Sequence, residues 1–288
     1  MNFLYFCFMK NEKVILITGA SSGIGYDAAA TLAKQGHCVY AAARRVERME
    51  PLKEYGVKIL RMDVTEEDSM RQGVDMVLQE QGRIDVLVNN AGYGQLGAIE
   101  NVSLEEARRQ VEVNLFGLAR LTQLVLPVMR QQGSGRIVNT SSVAGKMVIY
   151  YGGWYNVTKY AVEAFSDALR MEVKPFGIDV VKIEPGAIKT DWGLIAAENL
   201  KASSEGTAYE ATGNSWANSM TWYYHSKLLS SPKVVTRAIS RAVNRRHPRV
   251  CYRVGLYSGS GVFFHSILPA RWWDAMMRRL GKVRIKTS

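Results

Sequence analysis

The sequence VILITGASSGIG, residues 14–25, runs from a short apolar segment into a turn that contains three glycines. An Ala-rich stretch of helical length follows as far as Gln35. Glycine lets a backbone turn sharply and approach a pyrophosphate, whose charge is favoured at a helix N-terminus. The spacing departs from the G-x-G-x-x-G fingerprint, and an ordinary strand-to-helix turn is the alternative. The position between strand and helix favours nucleotide binding by Gly19, Ser21, Ser22, Gly23, Ile24 and Gly25.

Short β-branched runs alternate with longer amphipathic stretches along the chain. The runs are residues 14–18, 38–42, 57–62, 85–89, 136–140 and 178–183. Nearly continuous apolar strands separated by helical patterns are typical of a parallel sheet covered on both faces. We therefore predict an α/β fold: a doubly wound parallel sheet of the Rossmann type, with helices on both faces, in a single domain. Ligands of such folds lie beyond the carboxyl ends of the strands.

No internal repeat, low-complexity tract or Pro/Gly-rich linker divides the 288 residues into two domains. We expect an N-terminal extension over residues 1–12, a catalytic domain over 13–255 and a basic, aromatic tail over 256–288. The strand rhythm stops over roughly residues 190–231, where Ala, Ser, Asn, Trp and Tyr replace the β-branched runs. An insertion of this kind in a compact domain is typical of a substrate lid or a binding loop.

The chain is basic, since Lys plus Arg exceed Asp plus Glu by 37 − 26 = 11. An acidic partner such as a phosphate-bearing ligand, an anionic membrane surface or a nucleic acid must be considered. Much of the excess lies between Arg237 and Lys286, where Asp274 is the single acid. Three cysteines without CxxC spacing and four dispersed histidines favour neither a disulfide scaffold nor a metal site. We therefore expect a protein of the reducing cytoplasm.

The end of the second predicted strand discriminates between the two nicotinamide cofactors. An acid there would accept hydrogen bonds from the ribose 2′-hydroxyl, whereas a basic residue would neutralise a 2′-phosphate. Ala43 stands where the acid would be, and Arg44 and Arg45 follow it. This pattern favours NADP(H) over NAD(H), with Arg44 as the contact. The alternative is that both arginines are solvated charges at a helix start.

Seven features occur in a characteristic order: TGASSGIG (18–25), MDV (62–64), NNAG (89–92), Asn114, Ser142, YNVTK (155–159) and PGAIKT (185–190). By these seven features, residues 13 to 190 resemble the short-chain dehydrogenase/reductase family, and they are most similar to its hydroxysteroid and retinol dehydrogenase branch. The resemblance implies an oxidoreductase for an alcohol/carbonyl pair, in a homodimer or homotetramer that packs through predicted helices 103–131 and 155–174. It also implies cofactor contacts from Asp63, Val64, Asn90, Ala91, Gly92, Tyr155, Lys159, Pro185, Gly186, Ile188 and Thr190.

The spacing Tyr155-x-x-x-Lys159 places a phenol and an ammonium on one helix face. A tyrosine with a pKa of about 10 is a poor base at neutral pH unless a nearby cation favours the phenolate. We therefore expect Lys159 to lower the pKa of Tyr155, which then exchanges a proton with the reacting oxygen. The pair alone would fit an ordinary amphipathic helix; Ser142, thirteen residues upstream, favours the catalytic interpretation. Ser141 is the competing hydroxyl.

Asn114 lies within a predicted helix, where asparagine is not favoured. The alternative is that its side chain simply faces water and has no functional role. The resemblance implies a role instead, namely holding a water that relays protons towards Lys159.

The polar segment from Trp192 to Leu229 contains several aromatic and apolar residues, including Trp216, Met220 and Trp222. Such a segment is able to close over a bulky hydrophobic alcohol or carbonyl and exclude water. The alternative is a surface helix that packs its aromatics on the core. The tail from Val262 combines aromatic, aliphatic and basic residues, and is predicted to lie at a membrane surface, cap the pocket or contact a second subunit.

Two other functional classes remain as alternatives to an enzyme. Nucleic-acid binding fits the charge, but no recognition motif accompanies it. A cofactor-sensing protein without catalysis would not require the complete set of Ser142, Tyr155 and Lys159. The apolar residues 1–9 are too short to span a bilayer, and are either a short surface anchor or precede an alternative start at Met9.

Overall fold

The computed structural model describes residues 12–226 and 228–280. Its strands are β1 (Val14–Thr18), β2 (Cys38–Ala43), β3 (Lys58–Arg61), β4 (Val86–Asn89), β5 (Gly135–Thr140), β6 (Ile178–Pro185) and β7 (Cys251–Val254). All are parallel, in the order β3-β2-β1-β4-β5-β6-β7. The strand order reverses between β1 and β4, which opens a crevice for a ligand at their carboxyl ends.

The helices are α1 (Gly23–Lys34), α2 (Glu67–Gln81), α3 (Leu104–Val111), α4 (Gly117–Gln132), α5 (Gly153–Val173), α6 (Trp192–Ser204), α7 (Glu210–His225), α8 (Lys233–Asn244), α9 (Ser258–Ile267) and α10 (Ala270–Leu280). Successive residues of a strand point to opposite faces of a sheet. Ile15 and Ile17 therefore enter the core under α1 and α8, whereas Val14 and Leu16 enter the core under α2, α4 and α5. The predicted doubly wound α/β fold is confirmed.

The six predicted strands are present, with ends that differ by at most two residues. The seventh, β7, is absent from the sequence prediction because its four residues include Arg253 and lie among the basic residues of the C-terminal third. It pairs with β6, and Arg253 Nε donates to Glu184 Oε2 at 2.7 Å. Pairing with a buried carboxylate lets a charged residue lie in the edge strand.

Helices α3 and α4 are joined by a π-helical turn over Glu112–Phe116 and form one long helix, Leu104–Gln132. Among the described residues this is the one helix long and apolar enough to pass as a membrane span. Its residues Leu121, Val125 and Met129 pack into the sheet core. The predicted N-terminal anchor lies outside the described residues.

Candidate active site

A cavity of about 1360 Å³ lies beyond the carboxyl ends of the central strands. The glycine-rich turn and the ends of β2 and β4 form its polar half; α6, α7, α9 and α10 form its apolar half. The volume exceeds the roughly 300–1,000 Å³ of a pocket for one drug-sized ligand. All the residues predicted to bind the cofactor line this cavity except Gly25. The cavity is large enough to hold a cofactor and a substrate side by side.

The turn after β1 packs closely against the loop after β4 because its glycines lack a side chain. Gly19 has φ +67°, and a Cβ there would lie 2.8 Å from Ala91 Cα. A Cβ at Gly25 would lie 2.5 Å from Gly19 O, so Gly25 acts beneath the turn rather than at its surface. Ser22, the N-cap of α1, makes no side-chain capping bond, and the first turn holds no acid. This cradle fits the pyrophosphate of a dinucleotide.

Thr18 connects the glycine turn to the loop that follows β4. Its Oγ1 accepts from Asn90 N at 3.0 Å and from Ala91 N at 3.1 Å, and its carbonyl accepts from Asn90 Nδ2 at 3.2 Å. These bonds hold the NNAG segment against the turn at the crevice between β1 and β4. The two predicted cofactor segments are therefore one rigid surface.

Three arginines line the far end of the polar half: Arg44, Arg45 and Arg48. Arg44 Nη1 lies 3.9 Å from Asp63 Oδ2, and Arg45 Nη2 donates to Ser21 Oγ at 3.5 Å. An exposed ion pair of this kind contributes only about 0–1 kcal/mol, so it leaves the guanidinium of Arg44 able to bind a phosphate. Arg48 is not among the residues that the sequence predicts to contact the cofactor, although it follows Arg44 by four residues and ends a helical turn, Val46–Arg48.

Ser142 and Tyr155 meet at the junction of the two halves of the cavity. Ser142 follows β5, and its Oγ accepts from Ala144 N at 3.1 Å. The Ser142 hydroxyl also interacts with the Tyr155 hydroxyl, and this interaction acts to lower the pKa of the tyrosine. The Ser141 hydroxyl is buried without a hydrogen-bond partner, and it acts on the carboxylate of Glu163, whose pKa it helps to lower. The geometry thus pairs Tyr155 with Ser142 and not with Ser141.

Lys159 lies one turn beyond Tyr155 in α5, and its Nζ donates to Thr140 O at 3.0 Å. The ammonium lies 5.8 Å from the centroid of the Tyr155 ring. Burial lowers the pKa of Lys159 to about 8, against the opposing charge of Glu163. Burial also raises the pKa of Tyr155 to about 12, although the bond to Ser142 acts in the opposite direction. The predicted lowering of the Tyr155 pKa is therefore not the direction in this structure, because desolvation of the phenol outweighs the interaction with Ser142.

Asn114 lies behind the cavity wall, in the π-helical turn Glu112–Phe116. Its Oδ1 accepts from Tyr93 N at 3.0 Å, while its Nδ2 donates to Tyr93 O at 2.9 Å and to Thr158 Oγ1 at 3.1 Å. π-Turns within α-helices occur frequently at functional sites. A Cβ at Gly92 would lie 3.1 Å from Asn114 Oδ1 and 3.9 Å from Lys159 Nζ, which places the amide next to the ammonium.

The segment after β6 closes one side of the cavity. Ile188 forms a bridge with Ser230, and Ala187 forms one with Leu256. Lys189 N donates to Ser230 O at 2.9 Å, and Thr190 packs near Gly23 at the start of α1. Pro185, Gly186, Ile188 and Thr190 are thereby held facing the glycine turn across the cavity.

Aromatic side chains of the 190–231 segment form part of the apolar half. Trp192, the first residue of α6, packs on Tyr155, and Tyr224 of α7 covers Gly193, where a Cβ would lie within 1.9 Å of its ring. The Trp216 ring meets Tyr150 edge-on with centroids 5.6 Å apart. Trp192 of α6 thus covers the Tyr155 ring, while Trp216 and Tyr224 of α7 pack on Tyr150 and on the start of α6.

The described part of the tail also belongs to the cavity wall. Leu256, Tyr257, Phe264, Met276 and Met277 line it. Buried Trp273 anchors α10, since its Nε1 donates to Val148 O at 3.1 Å. Of the three interpretations offered for the tail, capping of the pocket is the one seen here. The sequence carried no local signal for it, because an amphipathic pattern does not specify the surface on which a helix docks.

A family model described as short chain dehydrogenase matches residues 13–199. Together with the glycine turn, the sheet order and the Ser142, Tyr155 and Lys159 arrangement, this match identifies the class. The chain belongs to the short-chain dehydrogenase/reductase family, as its motifs predict. It is therefore an oxidoreductase with a nicotinamide cofactor.

Three proteins illustrate what the chain is similar to within this family. The chain is 39% identical over 251 residues to 3-ketodihydrosphingosine reductase of Bacteroides thetaiotaomicron. The alignment covers 84% of this chain and 88% of that protein. A solved short-chain dehydrogenase from Streptomyces avermitilis aligns with a TM-score of 0.77 at 31% identity, covering 97% of this chain and 100% of that chain. A variant of actinorhodin polyketide ketoreductase, solved with NADPH, aligns with a TM-score of 0.68 at 31% identity, covering 81% and 90%.

Proposed function

We propose that this chain is an NADP(H)-dependent oxidoreductase that interconverts an alcohol and a carbonyl on a bulky, hydrophobic, lipid-like substrate. One observation carries the proposal: Ser142 and buried Tyr155, whose hydroxyls interact, lie between an arginine-lined glycine turn and an aromatic pocket. The relative named 3-ketodihydrosphingosine reductase supports a lipid-like substrate. The NADPH in the related ketoreductase structure supports the cofactor.

The cofactor preference rests on charge at the end of β2. Ala43 leaves no carboxylate to accept a bond from a 2′-hydroxyl, and Arg44, Arg45 and Arg48 supply positive charge to the same part of the cavity. Guanidinium groups match phosphate oxygens in geometry as well as charge. Residues of the glycine turn, Asn90 to Gly92 and Pro185 to Thr190 would hold the rest of the molecule.

Bound nicotinamide supplies or accepts the hydride at the substrate carbon. Tyr155 moves the proton at the substrate oxygen: in reduction its Oη gives the proton as the carbonyl π bond breaks. Because burial raises its pKa to about 12, Tyr155 is protonated at neutral pH, as a proton donor must be. Ser142 Oγ stabilises the charge that develops on the oxygen. Lys159 holds the cofactor ribose and stabilises the phenolate left on Tyr155.

We propose that Asn114 takes part in the proton relay towards Lys159. Its side chain already bonds the backbone of Tyr93 and the hydroxyl of Thr158, so it also acts as a positioning residue for the wall next to Lys159. We further propose that residues 190–231 act as the lid, within a catalytic domain over 13–255. A cytoplasmic homo-oligomer is the expected assembly.

The experiment that tests this function is a substrate panel read by oxidation of NADPH, with NADH in parallel. The panel contains a 3-keto sphingoid base, steroid ketones, retinal, aliphatic aldehydes and small polar sugars. We expect saturable reduction of one bulky apolar carbonyl with NADPH as the better cofactor. Saturable activity on the small sugars alone would reject the substrate class, and equal use of NADH would reject the cofactor preference.

A further inference from the structure

The mouth of the cavity carries an unusual number of exposed apolar side chains. Six large hydrophobic residues line the cavity and are nevertheless about half exposed or more: Ile195, Trp222, Leu228, Tyr257, Phe264 and Leu280. They come from α6, α7, α9, α10 and the adjoining loops, which lie far apart in the sequence. A rim of this composition, contributed by several elements, exposes more apolar surface than isolated surface residues would.

The apolar surface continues beyond the rim on the outside of the tail. Phe263 and Ile267 of α9 and Trp272 of α10 are 59%, 56% and 68% exposed, and none of them lines the cavity. Burying Trp273 against Val148 orients α10 so that its neighbour Trp272 points outwards. Tryptophan is a residue typical of the boundary between lipid and water.

Basic side chains accompany this surface. Arg271, Arg278 and Arg279 of α10 are exposed, against the one acid of the helix, Asp274. Aromatic and aliphatic residues flanked by arginines are complementary to an anionic lipid surface, where the cations meet headgroups and the apolar groups enter the acyl boundary.

We propose that the outer surface of α9 and α10, continuous with the rim, docks on anionic lipid membranes and faces the cavity mouth towards the bilayer. Docking is a property of this surface and does not depend on turnover. A role in taking substrate from the lipid phase rests on the proposed function.

The test is co-sedimentation of the full chain with vesicles of phosphatidylcholine alone and of phosphatidylcholine mixed with phosphatidylserine. We expect binding to the anionic vesicles that weakens in high salt. Neutralising Arg271, Arg278 and Arg279 to Gln should reduce the partition coefficient roughly fivefold for each charge removed. The double variant Ile267→Ser with Trp272→Ser should also lose binding to anionic vesicles. The matched control, Met171→Ser, removes a residue that is 69% exposed on α5 and should bind as the intact chain does.

NADPH binding and the thermal midpoint, measured on each variant, distinguish loss of docking from unfolding. The proposal is overturned if the intact chain does not bind anionic vesicles, or if Met171→Ser lowers binding as much as the double variant. It is also overturned if binding persists in the double variant and is lost only on deletion of residues 2–8. Loss of a dimer without loss of vesicle binding in the double variant would assign this surface to a second copy of the chain instead. None of these outcomes depends on catalytic activity.

Discussion

The indole of Trp192 lies on the phenol of Tyr155, with ring centroids 4.9 Å apart and planes inclined by 49°. The same indole fills the space in front of Gly94, where a Cβ would lie 2.3 Å from it. The first residue of α6 is thus packed directly on the proposed proton donor. This contact excludes water from one side of the phenol and contributes to the burial that raises its pKa.

Trp192→Ala should therefore lower the pKa of Tyr155 from about 12 towards the ordinary value near 10. The measurement is an NMR titration with ¹³Cζ-labelled tyrosine, in which Tyr155→Phe identifies the resonance. In the wild-type protein this resonance should stay constant below about pH 11, whereas in Trp192→Ala it should already shift. Trp222→Ala, which removes an exposed indole of α7, is the control and should leave the resonance unchanged. An unchanged titration in Trp192→Ala would refute the role of this contact.

Arg44→Ala should weaken the preference for NADPH. Removing one charge-assisted contact to a phosphate costs about 1.5–3 kcal/mol, which corresponds to a rise in KM for NADPH of roughly 10- to 150-fold. The KM for NADH should change little, because NADH has no 2′-phosphate. Steady-state kinetics with both cofactors make the comparison, and Arg237→Ala, an exposed arginine of α8 outside the cavity, is the control. An equal rise in KM for the two cofactors would show that Arg44 acts through the fold as a whole and not through the 2′-phosphate.

Lys159→Met should change the pH dependence of stability. Burial lowers the pKa of Lys159 from 10.5 to about 8, so between these values the unfolded chain binds more protons than the folded one. The free energy of unfolding therefore rises with pH over this window, and the cost of the buried charge is present in full below about pH 8.

Replacing Lys159 by Met removes this dependence. The stability of the variant relative to wild type should fall by on the order of 3 kcal/mol from neutral pH to about pH 10.5. Urea unfolding at both pH values measures the difference, with Lys189→Met, an exposed lysine, as the control. A relative stability that does not change with pH would contradict the lowered pKa.

Much of the fold follows from local sequence. A strand such as 14–18 is mostly apolar on both faces, so its periodicity identifies it. The glycines at 19 and 25 are required by short distances to backbone atoms and the glycine at 23 by its positive φ, so turn chemistry identifies them. Residues 251–254 do not have this pattern, because an edge strand does not need two apolar faces and the charge of Arg253 is compensated by Glu184 in the neighbouring strand.

The features that local sequence did not reveal depend on contacts between distant residues. The burial of Tyr155 comes partly from Trp192, thirty-seven positions later, and it reverses the expected direction of the pKa shift. The π-helical turn at Asn114 is held by Tyr93, in a loop that precedes the helix. Likewise, Trp273 docks α10 on the loop at Val148, which brings the tail over the cavity. Helical periodicity alone cannot specify any of these contacts.

The central claim, that Tyr155 is the acid of a carbonyl reductase, is tested most directly by single-turnover reduction of the best substrate of the panel with bound NADPH. Tyr155→Phe is compared with Tyr160→Phe, which removes the same hydroxyl from an exposed position on the same helix. The account predicts that Tyr155→Phe slows reduction by about 10²–10⁴-fold while NADPH binding is retained, and that Tyr160→Phe reduces at the wild-type rate. Comparable rates for wild type and Tyr155→Phe would contradict it.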